Sequence, residues 1–246
     1  RNNKSIMIFC ITKNMSTLQA VSTLFHPLQK SHFPAPFIKK CKWDDSKCMK
    51  EATQAAIPVL AAGIPELGVE TLDPLFIKSL DGSSQGLKLL LKDVTATGLK
   101  DCIAKKVERD LSNSKLSLKL LCTVDAVGKY EMDGRLLVLP IEGKGDAHSV
   151  ILFILAMEIV GDDGSKHWDI KDWTHTFTLK DKSTIELENL FNGNEVLGRA
   201  ARELLASNSN EVVNQVGPSI IEAVAKKIIE SIRNLFKKVP LEDMTL

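Results

Sequence analysis

The sequence predicts an α+β fold: one long C-terminal helix lying in the trough of a curled antiparallel sheet. Two observations carry this. From about Gly86 to Val160 the apolar residues recur with a period of two, and His167 to Leu179 returns as a further strand. Long strands so close in sequence form an antiparallel meander. Near the C-terminus, Pro218 to Val239 carries Val216, Ile220, Val224, Ile228, Ile232, Leu235 and Val239 at helical spacing, with Ile221, Ile229 and Phe236 in a second row. Glu222, Lys226, Lys227, Glu230, Arg233 and Lys237 take the opposite side. That apolar stripe is broader than a coiled-coil seam, so another element must cover it. A curled sheet covers a helix of roughly 33 Å. Whether the roll is packed solid or keeps a dry internal space is open on periodicity alone.

The elements follow in order. Residues 1–32 read as a signal remnant or a disordered extension, with Arg1 and Lys4 ahead of the short apolar run Ile6 to Ile11. Residues 33–246 read as a single domain. Phe33 to Lys40 is an extended, proline-containing lead-in. In CKWDDSKC, Cys41 and Cys48 are spaced too widely for a zinc pair, and a small disulfide loop before a helix fits better. Asp44, Asp45 or Ser46 caps the helix that runs to Ala62, kinked at Pro58. Gly63 to Leu80 is turn-rich. Leu116 to Ala126 alternates as a half-buried strand, Lys129 to Ile141 forms the next, and VILFILAMEIV is apolar on both faces at its centre. Asp163-Gly164 marks a hairpin turn. From Ser183 the chain turns helical, with a short helix over Glu195 to Leu205 and the final helix opening at Pro218, a residue suited to a first turn.

The totals exclude several function classes. Thirty-two lysines and arginines against thirty-one acids, with no basic block, make nucleic acid a poor partner. No apolar run approaches the ~20 residues of a membrane span. His148, His167 and His175 lack the carboxylate or cysteine pattern that would complete a metal site. No nucleophile elbow or phosphate-cradling loop is present, so neither an enzyme nor a cofactor is expected, and a lipid-ester hydrolase is the weakest reading. Cys102 and Cys122 flank the Ser112 turn almost symmetrically, which fits either a cross-hairpin bridge or two buried thiols.

Several segments, in collinear order over residues 38–246, carry a family resemblance. They are CKWDDSKC at Cys41 to Cys48, GIPELGV at Gly63 to Val69 with LDPL at Leu72 to Leu75, YEMDGRLLVLPIEGKG from Tyr130 to Gly145, NLFNGNEVLG from Asn189 to Gly198, and NLFKKVP from Asn234 to Pro240. Together they resemble the insect takeout and juvenile hormone-binding protein family. The resemblance implies a secreted, one-domain, non-catalytic carrier: a long helix wrapped by a highly curved antiparallel sheet, with an isoprenoid, juvenile hormone-like or fatty ligand in an internal hydrophobic tunnel. It also implies a Cys41–Cys48 disulfide. No cysteine follows Cys122, so the second bridge typical of the hormone-binding branch is missing, which favours the takeout-like branch.

The residues expected to line such a tunnel are Trp43, Ile57, Leu60, Ile64, Leu72, Leu75 and Phe76 at the disulfide end. Phe153, Leu155 and Met157 come from the central strand, and Ile220, Val224, Ile228 and Ile232 from the helix. The expected partner is a hydrophobic small molecule, bound by a monomer, with transient membrane or receptor contact left open. The competing reading is a lipid-, membrane- or protein-interaction domain with a filled core.

Overall fold

The computed structural model describes residues 35–164 and 166–246, and the reading of residues 1–32 lies outside them. The first element, α1 (Ser46–Ala62), is capped by Asp45, whose Oδ1 accepts from the Cys48 backbone N–H at 2.9 Å, and it carries Pro58 inside it. Gly63 and a single 3-10 turn, Pro65–Leu67, lead into the sheet.

Seven antiparallel strands form that sheet: β1 (Leu75–Asp81), β2 (Leu87–Thr97), β3 (Ile103–Asp110), β4 (Lys115–Leu136), β5 (Leu139–Asp163), β6 (Trp168–Leu179) and β7 (Thr184–Leu187). The frame is the β4–β5 hairpin, paired without a slip from Lys115↔Val160 to Leu136↔Leu139. At its open end β3 pairs β4 and β6 pairs β5; toward its turn β2, with β1 outside it, pairs β4 and β7 pairs β5.

Straight strands of this length would reach roughly 70–80 Å, so they must bend to cover one helix. The bends fall where the register slips. Between Lys92 and Thr95, Asp93 (φ +50°) and Val94 oppose the single residue Gly128, a bulge that turns the strand. Gly128 suits that spot because a Cβ there would press on Lys92 O and Val94 at 3.1 Å.

Two short stretches separate the sheet from the last helix, α3 (Ser209–Lys238): a 3-10 turn at Phe191–Gly193 and α2 (Glu195–Ser207), capped by Asn194. Val212, Val213, Gly217, Ile221, Ala225, Ile229 and Leu235 are the buried residues along the inner side of α3. Lys237 and Lys238 fall in its last turn, where positive charge suits the helix dipole.

The structure departs from the sequence reading in four places. The strand expected to break before Lys129 does not: Tyr130, Met132 and Leu136 continue the inward parity of Leu118, Leu120 and Cys122, so β4 is one strand and the chain reverses at Leu137–Val138. The final helix starts at Ser209, not Pro218, because the burial of Val212 and Val213 outweighs one exposed proline. Strands β1 and β7 occupy segments read as turn-rich and as helical. Of the cysteine pairs, Cys102 and Cys122, left open by the sequence, are bridged with their Cα atoms 4.4 Å apart, and the expected Cys41–Cys48 bridge is present.

The C-terminal residues return to the first disulfide. The Cys41 N–H donates to the Met244 carbonyl, and the Leu246 N–H to the Cys41 carbonyl, each at 3.2 Å.

Candidate functional site

The interior of the roll holds two apolar cavities, one toward each end of α3. The first, about 200 Å³, is bounded by Ala52, Ala56, Ile57 and Leu60 of α1, by Leu116, Leu118 and Leu120 of β4, and by Ile228, Ile232, Leu235 and Phe236 of α3. Leu72, Leu99, Cys102 and Val107 complete its walls, with Ile38 and Met244 at its edge. The second, about 150 Å³, lies between Leu89 and Leu91 of β2, Ala126, Tyr130 and Met132 of β4, Ala147 and Ile151 of β5, Ile185 and Leu187 of β7, and Val213, Val216, Ile220 and Ile221 of α3. A packing defect that just admits a water occupies about 10–15 Å³, so both cavities are an order of magnitude larger.

Packed side chains separate the two. On β4 the cavity walls stop at Leu120 and resume at Ala126, leaving Cys122 and Val124 between; on α3 they leave Val224 and Ala225. Phe153 pairs with Cys122 across the hairpin and is buried with it. Along the helix this partition is roughly 10 Å thick, seven residues from Ile221 to Ile228.

Of the residues expected to line a tunnel, Ile57, Leu60, Leu72, Ile228 and Ile232 meet in the first cavity and Ile220 lines the second. The others sit elsewhere. Leu75, Phe153, Leu155 and Met157 are fully packed core, and Val224 is packed against it beside the partition. Ile64 pairs with Val69 and joins a satellite cluster under Leu67 and Val239. Phe76 is 60% exposed, because in β1 the inward parity belongs to Leu75 and Ile77. Trp43 is half-buried against the core, with the Arg109 guanidinium 5.5 Å above its ring and 4.2 Å from the Trp168 ring. Trp168 meets Phe236 edge to face at 5.1 Å. These aromatic contacts brace the disulfide end rather than line a cavity.

The sequence reading missed the leucine row of β4, the alanines of α1 and nearly all of the second cavity. The parity of Leu116, Leu118 and Leu120 was the available signal.

Polar groups in the walls are few. In the first cavity the side chains of Thr53 and Ser231 are the polar ones, and no ionisable group lines it. In the second, Tyr130 is buried and its hydroxyl donates to the Glu188 carbonyl at 2.6 Å; burial pushes its pKa up to about 12. His148 stands at the rim of the second cavity, its Nδ1 3.3 Å from Glu186 Oε2 and its Nε2 3.0 Å from Asp125 Oδ1. Those two carboxylates, Glu186 foremost, raise its pKa above the ordinary 6.5. Among the described residues no cluster of histidine, cysteine and carboxylate groups could hold a metal, and no helix is long and apolar enough to cross a membrane. Such walls offer removal from water and little else, so they suit a molecule that is mostly hydrocarbon.

Comparison with known proteins points the same way. A family model described as haemolymph juvenile hormone binding protein matches residues 17–246. The circadian clock-controlled protein daywake of Drosophila melanogaster is 30% identical over 232 residues, 86% of this chain and 87% of that protein. A juvenile hormone-binding protein of Manduca sexta is 30% identical over 90 residues, 35% of this chain and 39% of that one. The crystal structure of Takeout 1 from Epiphyas postvittana superposes with a TM-score of 0.81 at 32% identity, covering 85% of this chain and 99% of that one.

Proposed function

Because the chain belongs to the haemolymph juvenile hormone binding protein family, we propose that it is a secreted, monomeric, non-catalytic carrier. Its cargo is an elongated hydrophobic molecule, isoprenoid or fatty, held inside the roll. The pair of apolar cavities along α3, with ionisable groups only at Tyr130 and at the His148 rim of the second, is the observation that carries this reading. A ligand longer than one cavity would be accommodated by moving the partition side chains Val124, Phe153 and Val224, which turns two cavities into one tunnel. Two disulfides fit an oxidising compartment outside the cell.

Magnitudes make the reading workable. At ~0.8 kcal/mol per buried CH₂, a chain of about fifteen carbons gains roughly 12 kcal/mol before association costs of about 4 kcal/mol or more. The remainder, at most about 8 kcal/mol, corresponds to micromolar binding or somewhat weaker, strong enough to load and weak enough to release.

Organic extraction of the purified protein followed by mass spectrometry is expected to recover such a lipid, and isoprenoids or fatty chains are expected to displace a fluorescent fatty probe. Ala56→Trp and Ala126→Trp, which fill the first and second cavity, are each expected to weaken probe binding at least about tenfold, since a blocked cavity forfeits several buried CH₂ groups. No extracted lipid together with no displacement defeats the reading. Unchanged probe binding in both variants, together with liposome flotation, would favour a surface that meets membranes over an interior that holds cargo.

A further inference from the structure

The first cavity contains a polar feature that hydrophobic carriage alone does not use. Ser231 is 4% exposed, set among Ile228, Ile232 and Leu235 on the helix side of a wall that is otherwise hydrocarbon. Thr53 faces the same cavity from α1. Helical serines and threonines commonly return their hydroxyl to the carbonyl four residues earlier. Among the described residues neither hydroxyl has a hydrogen-bond partner, and neither is a fully buried polar atom, so each keeps exposed surface from which it can bond a ligand's oxygen. Ser231 also borders a surface cleft formed with Gly68, Glu70, Lys227, Glu230, Arg233 and Asn234. It therefore lies between the apolar cavity and that polar cleft. In that cleft Lys227 Nζ lies 2.9 Å from Glu70 and 3.8 Å from Glu230, and Arg233 supplies a second cation.

We propose that Ser231, helped by Thr53, recognises a single uncharged oxygen function, an alcohol or an ester, at one end of the ligand. The hydrocarbon then points away from Ser231, toward the partition and the second cavity. A carboxylate is disfavoured inside the cavity, because the wall holds no cation and burying an unpaired charge there costs more than one hydroxyl returns. This inference rests on the carrier reading and narrows its cargo to chains with one neutral polar end.

The test compares dodecane, dodecan-1-ol, methyl dodecanoate and dodecanoate as competitors of a bound fluorescent probe on the full chain. The alcohol and the ester are expected to compete about five- to tenfold better than the alkane, the range of one net hydrogen bond, with dodecanoate behind both. Ser231→Ala is expected to remove that preference while leaving dodecane within about twofold, and Thr53→Val to weaken it about threefold. An unchanged thermal midpoint in Ser231→Ala shows that the fold is intact; Ser231→Cys, which keeps the volume with a weaker donor, covers the case in which it is not. Equal competition by alkane and alcohol in the wild type, or an alcohol preference that survives Ser231→Ala, overturns the assignment. Failure of all four chains to displace the probe is a different result, because it removes the carrier reading itself.

Discussion

His148 shows what a single side chain contributes here and why spacing could not disclose it. Its acidic partners come from β4 and β7, 23 and 38 residues away in sequence, so the sequence offered only an isolated histidine and a weak metal hypothesis. In the structure the imidazolium, which donates from both nitrogens, ties the four-residue strand β7 to the central hairpin. The folded pKa is raised above 6.5, so its stabilisation is complete below the unfolded value and fades as pH rises through the folded one. The melting temperature is therefore expected to fall as pH is raised from about 6 to about 8, and His148→Gln is expected to flatten that slope. Identical slopes in variant and wild type would show that the two contacts leave stability untouched. Ser231 was equally hidden, because a serine on a helix is ordinary until the wall around it is seen to be hydrocarbon.

Helices and strands were legible where one period ran long enough, and illegible where a breaker residue interrupted it without breaking the element. The amphipathic stripe of α3 and the alternation of Leu116 to Ala126 gave the right elements. Pro218 read as the opening of the final helix and the stretch after Ala126 as the gap between two strands, yet both lie inside elements held by their neighbours' burial. Pro218 is exposed within α3 and leaves the Asn214 carbonyl without its usual helical donor. Pro218→Ala is expected to stabilise the protein by about 1–2 kcal/mol in urea denaturation, the ~3 kcal/mol helix penalty of proline less what proline gains by restricting the unfolded chain. A loss of stability would mean that the bend at Pro218 is needed to seat the helix. The half-buried state of Ile228 and Ile232, against the full burial of Ile221 and Ile229, has a related reading. Ile228 and Ile232 line the first cavity, Ile229 is packed core, and Ile221 is buried while still lining the second cavity. An apolar pattern is the same in both cases, so the expected lining residues divided between cavity wall and solid core.

At the scale of the molecule, a void is a property of how elements fail to fill space, and no residue encodes it alone. The curled sheet around one helix was legible in the sequence; that the space would be divided at Val124, Phe153 and Val224 was not. The uncharged walls set the thermodynamics of loading. Uptake of a fatty chain is expected to show a negative heat-capacity change by calorimetry. Its affinity is expected to vary less than about twofold between low and high salt, since no exposed ion pair is made or broken. A steep salt dependence would place the ligand on the charged exterior.

The order of elements along the chain has a consequence for biosynthesis. The sheet is complete before its covering helix exists: the last strand ends at Leu187 and α3 at Lys238, a gap of about 50 residues that at ~5–20 residues per second takes roughly 3–10 seconds of translation. Throughout that interval the greasy concave side of β4 and β5 faces the surroundings unprotected. Until α3 arrives, a nascent chain of this design carries exposed apolar surface of the kind that makes folding intermediates prone to aggregate.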